Sequence, residues 1–276
     1  VKQRIVFSIL FFIPVFLWAQ DRNAPSKEMG LVVGTSYYMG DMNYSHFGGR
    51  LSPGGGLIFR NNFDRRWSFK TSLLYGKIMA YDEDSDDAWQ RNRNLHFKNE
   101  MIEFSAQMEL NYFDYQIGSN TDFISPYLFL GLSYFSSNPK AEFNGNWYEL
   151  QPLGTEGQGT SLGEDLYKTN GIAIPMGAGI KVNVYRFIAI NIEWGMRRTY
   201  TDYLDDVSGT YIDPAVLLAE NGRLAVSLAD RSIEQSGPNG TNDGMQRGDP
   251  GRRDWYNFTN FTLSFRIDKK QGTCWK

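Results

Sequence analysis

Residues 171–184 read GIAIPMGAGIKVNV. Ile172, Ile174, Met176, Ala178, Ile180, Val182 and Val184 take every second position, with Ala173, Pro175, Gly177, Gly179, Lys181 and Asn183 between them. Two glycines, a proline and a strict period of two exclude a helix, whose apolar face recurs near every 3.6 residues. The segment is a strand with one wholly apolar face and one small or polar face. A half-buried strand of a soluble sandwich usually runs about 5 to 6 residues, whereas a tilted strand crossing a bilayer needs about 9 to 11. This one is long enough to span.

The same alternation recurs along the chain. Ile102, Phe104, Ala106, Met108, Leu110 and Tyr112 alternate with Glu103, Ser105, Gln107, Glu109 and Asn111. Ile188, Ile190, Ile192, Trp194 and Met196 form another such row, as do Leu128, Leu130, Leu132 and Tyr134, and Phe261, Leu263, Phe265 and Ile267. Residues 30–39, 51–60 and 67–79, with noisier patterns, complete eight predicted strands. Between them, long polar connections alternate with short ones such as NNFDRR and Tyr185-Arg186.

That pattern predicts an all-β fold, an eight-stranded antiparallel up-and-down transmembrane β-barrel with short periplasmic turns and long external loops. An even strand number places both termini on the periplasmic side. Aromatics near strand ends, including Trp67, Tyr112, Tyr134, Tyr200, Trp255 and Tyr256, suit interfacial girdles. Arg60, Lys70, Glu103, Glu109, Lys181, Glu193 and Arg266 are then candidate lumen charges. Eight strands leave a lumen just wide enough for side chains, so mixed signs imply internal ion pairs and no conduction path. The structural competitor is a soluble lipocalin-like barrel or sandwich with the apolar face turned inward.

The 276 residues carry a formal net charge of −3 and a mean hydropathy of −0.44, compatible with polar loops and a polar lumen. Lys2 and Arg4 precede an apolar run from Ile5 to Trp18, followed by Ala19, which is the layout of a secretory signal peptide. The expected organisation is a signal peptide at 1–20, a periplasmic segment at 21–28, the barrel at 29–267 and a periplasmic tail at 268–276. The single cysteine, Cys274, excludes an intrachain disulfide and lies far from where a lipoprotein is acylated.

Enzymatic chemistry finds little support. His46 and His96 fall in or beside predicted loops with no spacing that builds a hydrolase site. The acidic run Asp82, Glu83, Asp84, Asp86 and Asp87 has calcium-type ligands but neither the spacing nor the glycine of an EF-hand loop. Neither a phosphate-cradling glycine loop nor a zinc-type cluster is present, so no catalytic residue, metal or cofactor is expected, and no nucleic acid among the partners. Residues 213–229, with AVLLAE and RLAVSLAD, read as a short amphipathic helix in the last loop.

Two stretches carry a family resemblance. GLVVGTSYYMGDMN at 30–43 and RRTYTDYLDDVSGTY at 197–211 resemble the first-strand and post-seventh-strand signatures of the PorG-like outer-membrane proteins of the type IX secretion system. The closing DWYNFTNFTLSFRID is similar too, although residues 268–276 follow it where a terminal aromatic is usual. The resemblance implies a non-enzymatic barrel, inserted by the barrel-assembly machinery among outer-membrane lipids, that associates with a periplasmic ring of PorK and PorN. Arg65, Arg66, Arg186, Lys269 and Lys270 are the candidate ring contacts. Asp202, Tyr203, Asp205, Asp206 and Tyr211 are a candidate motif for ordering the last loop, by backbone capping, by binding a cation, or as local turn chemistry. The alternative is a general surface barrel of OmpA/OmpX-like architecture, for adhesion or envelope stability.

Overall fold

A computed structural model describes residues 25–44, 48–237 and 240–268. The predicted signal peptide, His46, Lys269, Lys270 and Cys274 lie outside them. Ten strands follow in order: β1 Ser26–Met39, β2 Ser52–Asn62, β3 Trp67–Tyr81, β4 His96–Asn111, β5 Ile124–Ser136, β6 Pro139–Phe143, β7 Asn146–Glu149, β8 Asn170–Tyr185, β9 Ile188–Thr199 and β10 Trp255–Arg266. Eight of them (β1–β5, β8, β9 and β10) pair in sequence order, each antiparallel to the next. The register Glu28↔Arg266 to Met39↔Trp255 joins β10 to β1 and closes the barrel. Closure gives each of these eight strands a neighbour on both sides, which is how backbone groups are satisfied where no water is present. The small β6–β7 hairpin prolongs the long-loop end of β4.

Polarity is inverted relative to a soluble protein. Leu31, Val33, Leu73, Ile102, Phe104, Leu128, Leu130, Leu132, Ile172 and Ile192 are all more than half exposed on the outer wall, whereas Arg60, Lys70, Glu109 and Lys181 are buried. Strands of 11 to 16 residues, from β2 to β4 and β8, are long enough to carry this belt across a bilayer. Trp67, Tyr112, Tyr134 and Tyr200 are exposed near its margins. Tyr256 departs from the predicted girdle: it points inward, fully buried, and its hydroxyl donates to Glu103 Oε2 at 2.6 Å. A charge at Leu130, midway along β5, should cost about 2–4 kcal/mol in the membrane. Leu130→Arg is therefore expected to lower the yield of folded barrel in vesicles, read as heat-modifiable mobility on gels.

The small residues of 171–184 answer to their neighbours. A Cβ on Gly179 would lie 2.6 Å from the ring of Tyr127, and one on Gly177 would lie 2.7 Å from the ring of Phe129. Two aromatic rings of β5 lie across the β8 glycines and fill the lumen there.

The lumen is layered. Nearest the short turns, Glu109 is the hub of an ion-pair cluster, with Arg60 Nε at 2.8 Å, Lys70 Nζ at 3.2 Å and Lys181 Nζ at 2.6 Å. Arg60 also reaches Glu28 at 2.8 Å, and Lys70 donates to Glu193. Higher up, Arg197 pairs with Glu103 at 3.2 Å. Above it Tyr38, Ile78, Phe97, Met101, Phe135 and Phe258 form a buried apolar layer.

Two expectations are corrected at the short-turn end. Residues 26–28 do not belong to a free periplasmic segment: they open β1, because Glu28 finds its counter-ion, Arg60, only inside the barrel. The turn at 112–123 folds inward and buries Tyr115 and Ile117 against Ala189. Arg266 is drawn to this plug and out of the charge cluster, donating to Ile117 O at 3.3 Å and to Asp268 Oδ2 at 2.9 Å.

Candidate functional site: a polar cap over the lumen

The four long connections, at 40–51, 82–95, 137–169 and 200–254, converge over the upper mouth. Their helices are α1 Ala88–Arg93, α2 Pro214–Glu220 and α3 Gly222–Ala229. The single helix expected at 213–229 is thus two, broken at Gly222, whose φ of +88° lies in the left-handed region. Asp213 caps α2 by accepting from Ala215 N at 2.8 Å, and Pro214 opens its first turn.

Two buried arginines stitch the loops together. Arg93 forks onto Asp82 with two bonds of 2.7 Å and also donates to Asp41 O at 3.0 Å and Arg247 O at 2.6 Å. Arg247 donates to Glu156 Oε1 at 2.8 Å, Asp206 O at 2.5 Å and Ala229 O at 3.0 Å. Glu156 in turn accepts from the backbone N–H groups of Ser208 and Gly209 at 2.9 and 3.0 Å. Bidentate guanidinium geometry and multiple backbone acceptors make such buried charges tolerable.

At the junction with the barrel, the Tyr38 hydroxyl lies 2.6 Å from Asp205 Oδ2 and 2.6 Å from Asp254 Oδ1. One phenolic proton cannot bridge two short O···O contacts, so one of the carboxyls is held protonated. Burial, and for Asp205 the charge of Asp254, push both carboxyls well above the usual range. Gly40 is required beside them, because a Cβ there would lie 2.0 Å from the Tyr38 hydroxyl oxygen and 2.1 Å from Asp254 Oδ1.

The motif residues sit in this network. Asp202 accepts from the Ser208 hydroxyl at 2.6 Å, and Asp205 Oδ1 accepts from Val207 N at 3.0 Å. Asp206 adopts φ +68° and accepts from Thr155 at 2.5 Å and Tyr167 at 2.7 Å. The Tyr203 ring stacks on Tyr167 with centroids 4.5 Å apart, and the Tyr211 backbone bonds Gly244 and Met245. Among the described residues no group of His, Cys, Asp or Glu is arranged to hold a metal ion. The acidic run is also largely committed: Asp82 is buried on Arg93, while Glu83 and Asp84 pair with Arg50. His96 stacks on Tyr81 and accepts from Glu142 N at 3.0 Å.

Burial is the leading cause that raises Asp41 and Asp206 to about 6 and Asp202 to about 7. Folded-state values above the ordinary 3.8 mean that the folded cap binds the extra protons. Its stability from these groups is complete below about pH 4 and is lost as pH rises through about 6 to 7. Limited proteolysis of 201–254 should therefore be slower at pH 5 than at pH 8, the reverse of acid loosening.

At the opposite end, Arg65 lies 3.0 Å from Asp122 and Arg66 lies 2.7 Å from Asp114. Both proposed ring contacts are thus engaged within the chain, whereas Arg186 is exposed beside exposed Tyr185 and Phe187. The sequence reading missed Arg93, Arg247, Glu156 and Asp254, whose partners are distant in the chain and whose local patterns are those of ordinary polar loops.

Closed eight-strand pairing, an apolar outer wall and a charge-filled lumen define the architecture of a transmembrane β-barrel. The chain belongs to the family described as a domain of unknown function, DUF6089, whose model matches residues 4–221. No curated protein matches it. Among solved structures it is similar to Neisserial surface protein A, with 8% identity, a TM-score of 0.42, and coverage of 89% of this chain and 100% of that one. Similarity extends to the attachment invasion locus protein Ail of Yersinia pestis, with 11% identity, a TM-score of 0.39, and coverage of 87% and 99%. For OprG of Pseudomonas aeruginosa the values are 9%, 0.34, and 89% and 98%.

Proposed function

We propose that this chain is a non-enzymatic outer-membrane barrel of the type IX secretion system that helps anchor a periplasmic PorK/PorN ring. The observation that carries the reading is spatial: the two stretches that resemble PorG-like proteins meet in one buried site, where Tyr38 of the first bonds Asp205 of the second. Support also comes from the lumen, whose ion pairs, apolar layer and two plugged ends leave a barrel suited to anchoring and not to conduction. In this reading the short turns face the periplasm, and the ring meets Arg186 with its exposed aromatic neighbours, Tyr185 and Phe187.

The test is an affinity pull-down of the full chain, tagged at its C-terminus, from gently solubilised envelopes. Stoichiometric recovery of PorK and PorN is expected, with loss of that recovery on Arg186→Glu. A barrel recovered alone, from envelopes in which the ring is intact, overturns the ring role. That result would favour the surface-barrel reading, for which the tightly bonded cap supplies the argument: it presents a fixed polar surface on the outside of the cell.

A further inference from the structure

Around the long-loop rim the cations fall into two sectors. On the β3–β4 side three of them are paired with carboxylates within the chain, while Lys98 lies 4.0 Å from the ring centre of Trp147. Lys77 lies 3.2 Å from Glu100, Arg50 lies 2.6 Å from Asp84, and Lys140 of the β6–β7 hairpin lies 3.6 Å from Glu149. On the side formed by β8, β9, β10 and β1, Lys168, Arg198, Arg252 and Arg253 make no ion pair within 4.0 Å among the described residues. Aromatic rings stand beside two of them: Arg198 is 6.0 Å from the ring centre of Trp255, and Arg252 is 4.4 Å from that of Tyr44.

These cations line two adjoining grooves. One, of about 510 Å³, is bounded by Met39, Met196, Trp255, Arg198, Arg252 and Arg253. The other, of about 350 Å³, continues past Arg253 to Lys168, Tyr200 and Ile172. Its one lining carboxyl, Asp202, is buried and bonded to Ser208.

Strand register shows what lies below. Arg198 pairs with Trp255 and Ile174; the next outward row is Met196, Asn257 and Met176, then Trp194, Thr259 and Ala178, then Ile192, Phe261 and Ile180. While on β10 the buried Asn257 accepts from the Thr259 hydroxyl at 2.8 Å, the side chains descending β9 pass from guanidinium through thioether and indole to branched aliphatic. That is the polarity profile of an amphiphile with an anionic head and hydrocarbon tails. Guanidinium groups bind phosphate through parallel N–H donors, and unneutralised basic pockets at a membrane interface attract phosphorylated headgroups.

We propose that this sector is a binding site for a phosphate-bearing membrane lipid. Arg198, Arg252 and Arg253 take the phosphate, and the acyl chains lie along Met196, Trp194 and Ile192. The inference rests on the membrane-barrel reading and adds a ligand class to it; it is independent of the secretion ring.

The experiment uses the full chain reconstituted in nanodiscs of phosphatidylcholine with or without phosphatidic acid. Native mass spectrometry counts the lipid retained after release into detergent. Wild type should retain phosphatidic acid preferentially. The triple variant R198Q/R252Q/R253Q should bind it at least about tenfold more weakly, since each lost charge-assisted bond is worth on the order of one decade of affinity. Lys77→Gln, on the β3–β4 side, should leave retention unchanged. Equal retention by wild type and the triple variant, both showing heat-modifiable gel mobility, overturns the site. So does full displacement by millimolar inorganic phosphate, which would mark a free-anion site with no role for the chains. Failure of the wild type to enter nanodiscs at all would instead refute the membrane reading, and is scored separately by gel mobility.

Discussion

Replacing Glu109 with leucine lowers the stability of the barrel by about 3–5 kcal/mol, because it strands buried cations that share one carboxylate. Arg60, Lys70 and Lys181 all approach Glu109 within 3.2 Å, and each is almost wholly buried. Lys70 would retain Glu193 and Arg60 would retain Glu28, so the heaviest loss falls on Lys181, left with Asn111 Oδ1 at 2.9 Å. The measurement is urea unfolding of the detergent-folded chain followed by tryptophan fluorescence. With slopes of about 1–3 kcal/mol per molar, the midpoint should fall by more than about 1 M. The double variant Glu109→Leu, Lys181→Met should regain part of the loss, since it removes the stranded charge as well. An unchanged midpoint for Glu109→Leu would mean that water or counter-ions enter the lumen freely, and the closed interior described above would be wrong.

The second large effect is local. Arg247→Leu deprives Glu156 and Asp206 of their shared cation and frees the carbonyls of Asp206 and Ala229. Removing one partner of a buried charged network costs about 3–5 kcal/mol, equivalent to a rise of about two to three and a half decades in the population of opened cap. The β-ladders do not depend on this residue, so the barrel should keep its heat-modifiable mobility while protease cleavage within 201–254 accelerates by about 100-fold or more. Parallel loss of the barrel would show that cap and wall fold as one unit. Cleavage at the wild-type rate would show that the cap is held chiefly by the Tyr38–Asp205–Asp254 junction.

The two experiments separate two kinds of interior. The lumen is a charge lattice whose members come from facing strands, and losing its hub weakens the whole closure. The cap is a set of loops tied by two guanidinium groups, and losing one tie releases the loops alone. Both polar interiors lie apart from the outer belt, where Leu130→Arg tests apolarity itself.

Features that depend on period and composition are legible along the chain. Alternation over 171–184, 102–112, 128–134 and 188–196 sets strand type and the face each residue shows, because successive side chains must point to opposite sides. Alternating connection lengths then order the strands up and down. From face alone, Arg60, Lys70, Glu103, Glu109, Lys181 and Glu193 are placed on the side opposite the apolar row.

Tertiary structure alone decided which charges meet and where the ends close. Glu28 joins Arg60 through the β1–β2 register, and Tyr38 meets Asp205 and Asp254 only after β10 has paired with β1. A guanidinium such as Arg93 or Arg247 carries no local mark of burial: its partners lie up to 154 residues away, and solvated loops have the same composition. Arg266, Arg65 and Arg66 found partners at the short-turn end for the same reason, since ion pairing follows spatial proximity and proximity in a closed sheet is set by register. Periodicity is a local property of the backbone and can be read along the chain; electrostatic partnership is a property of closure.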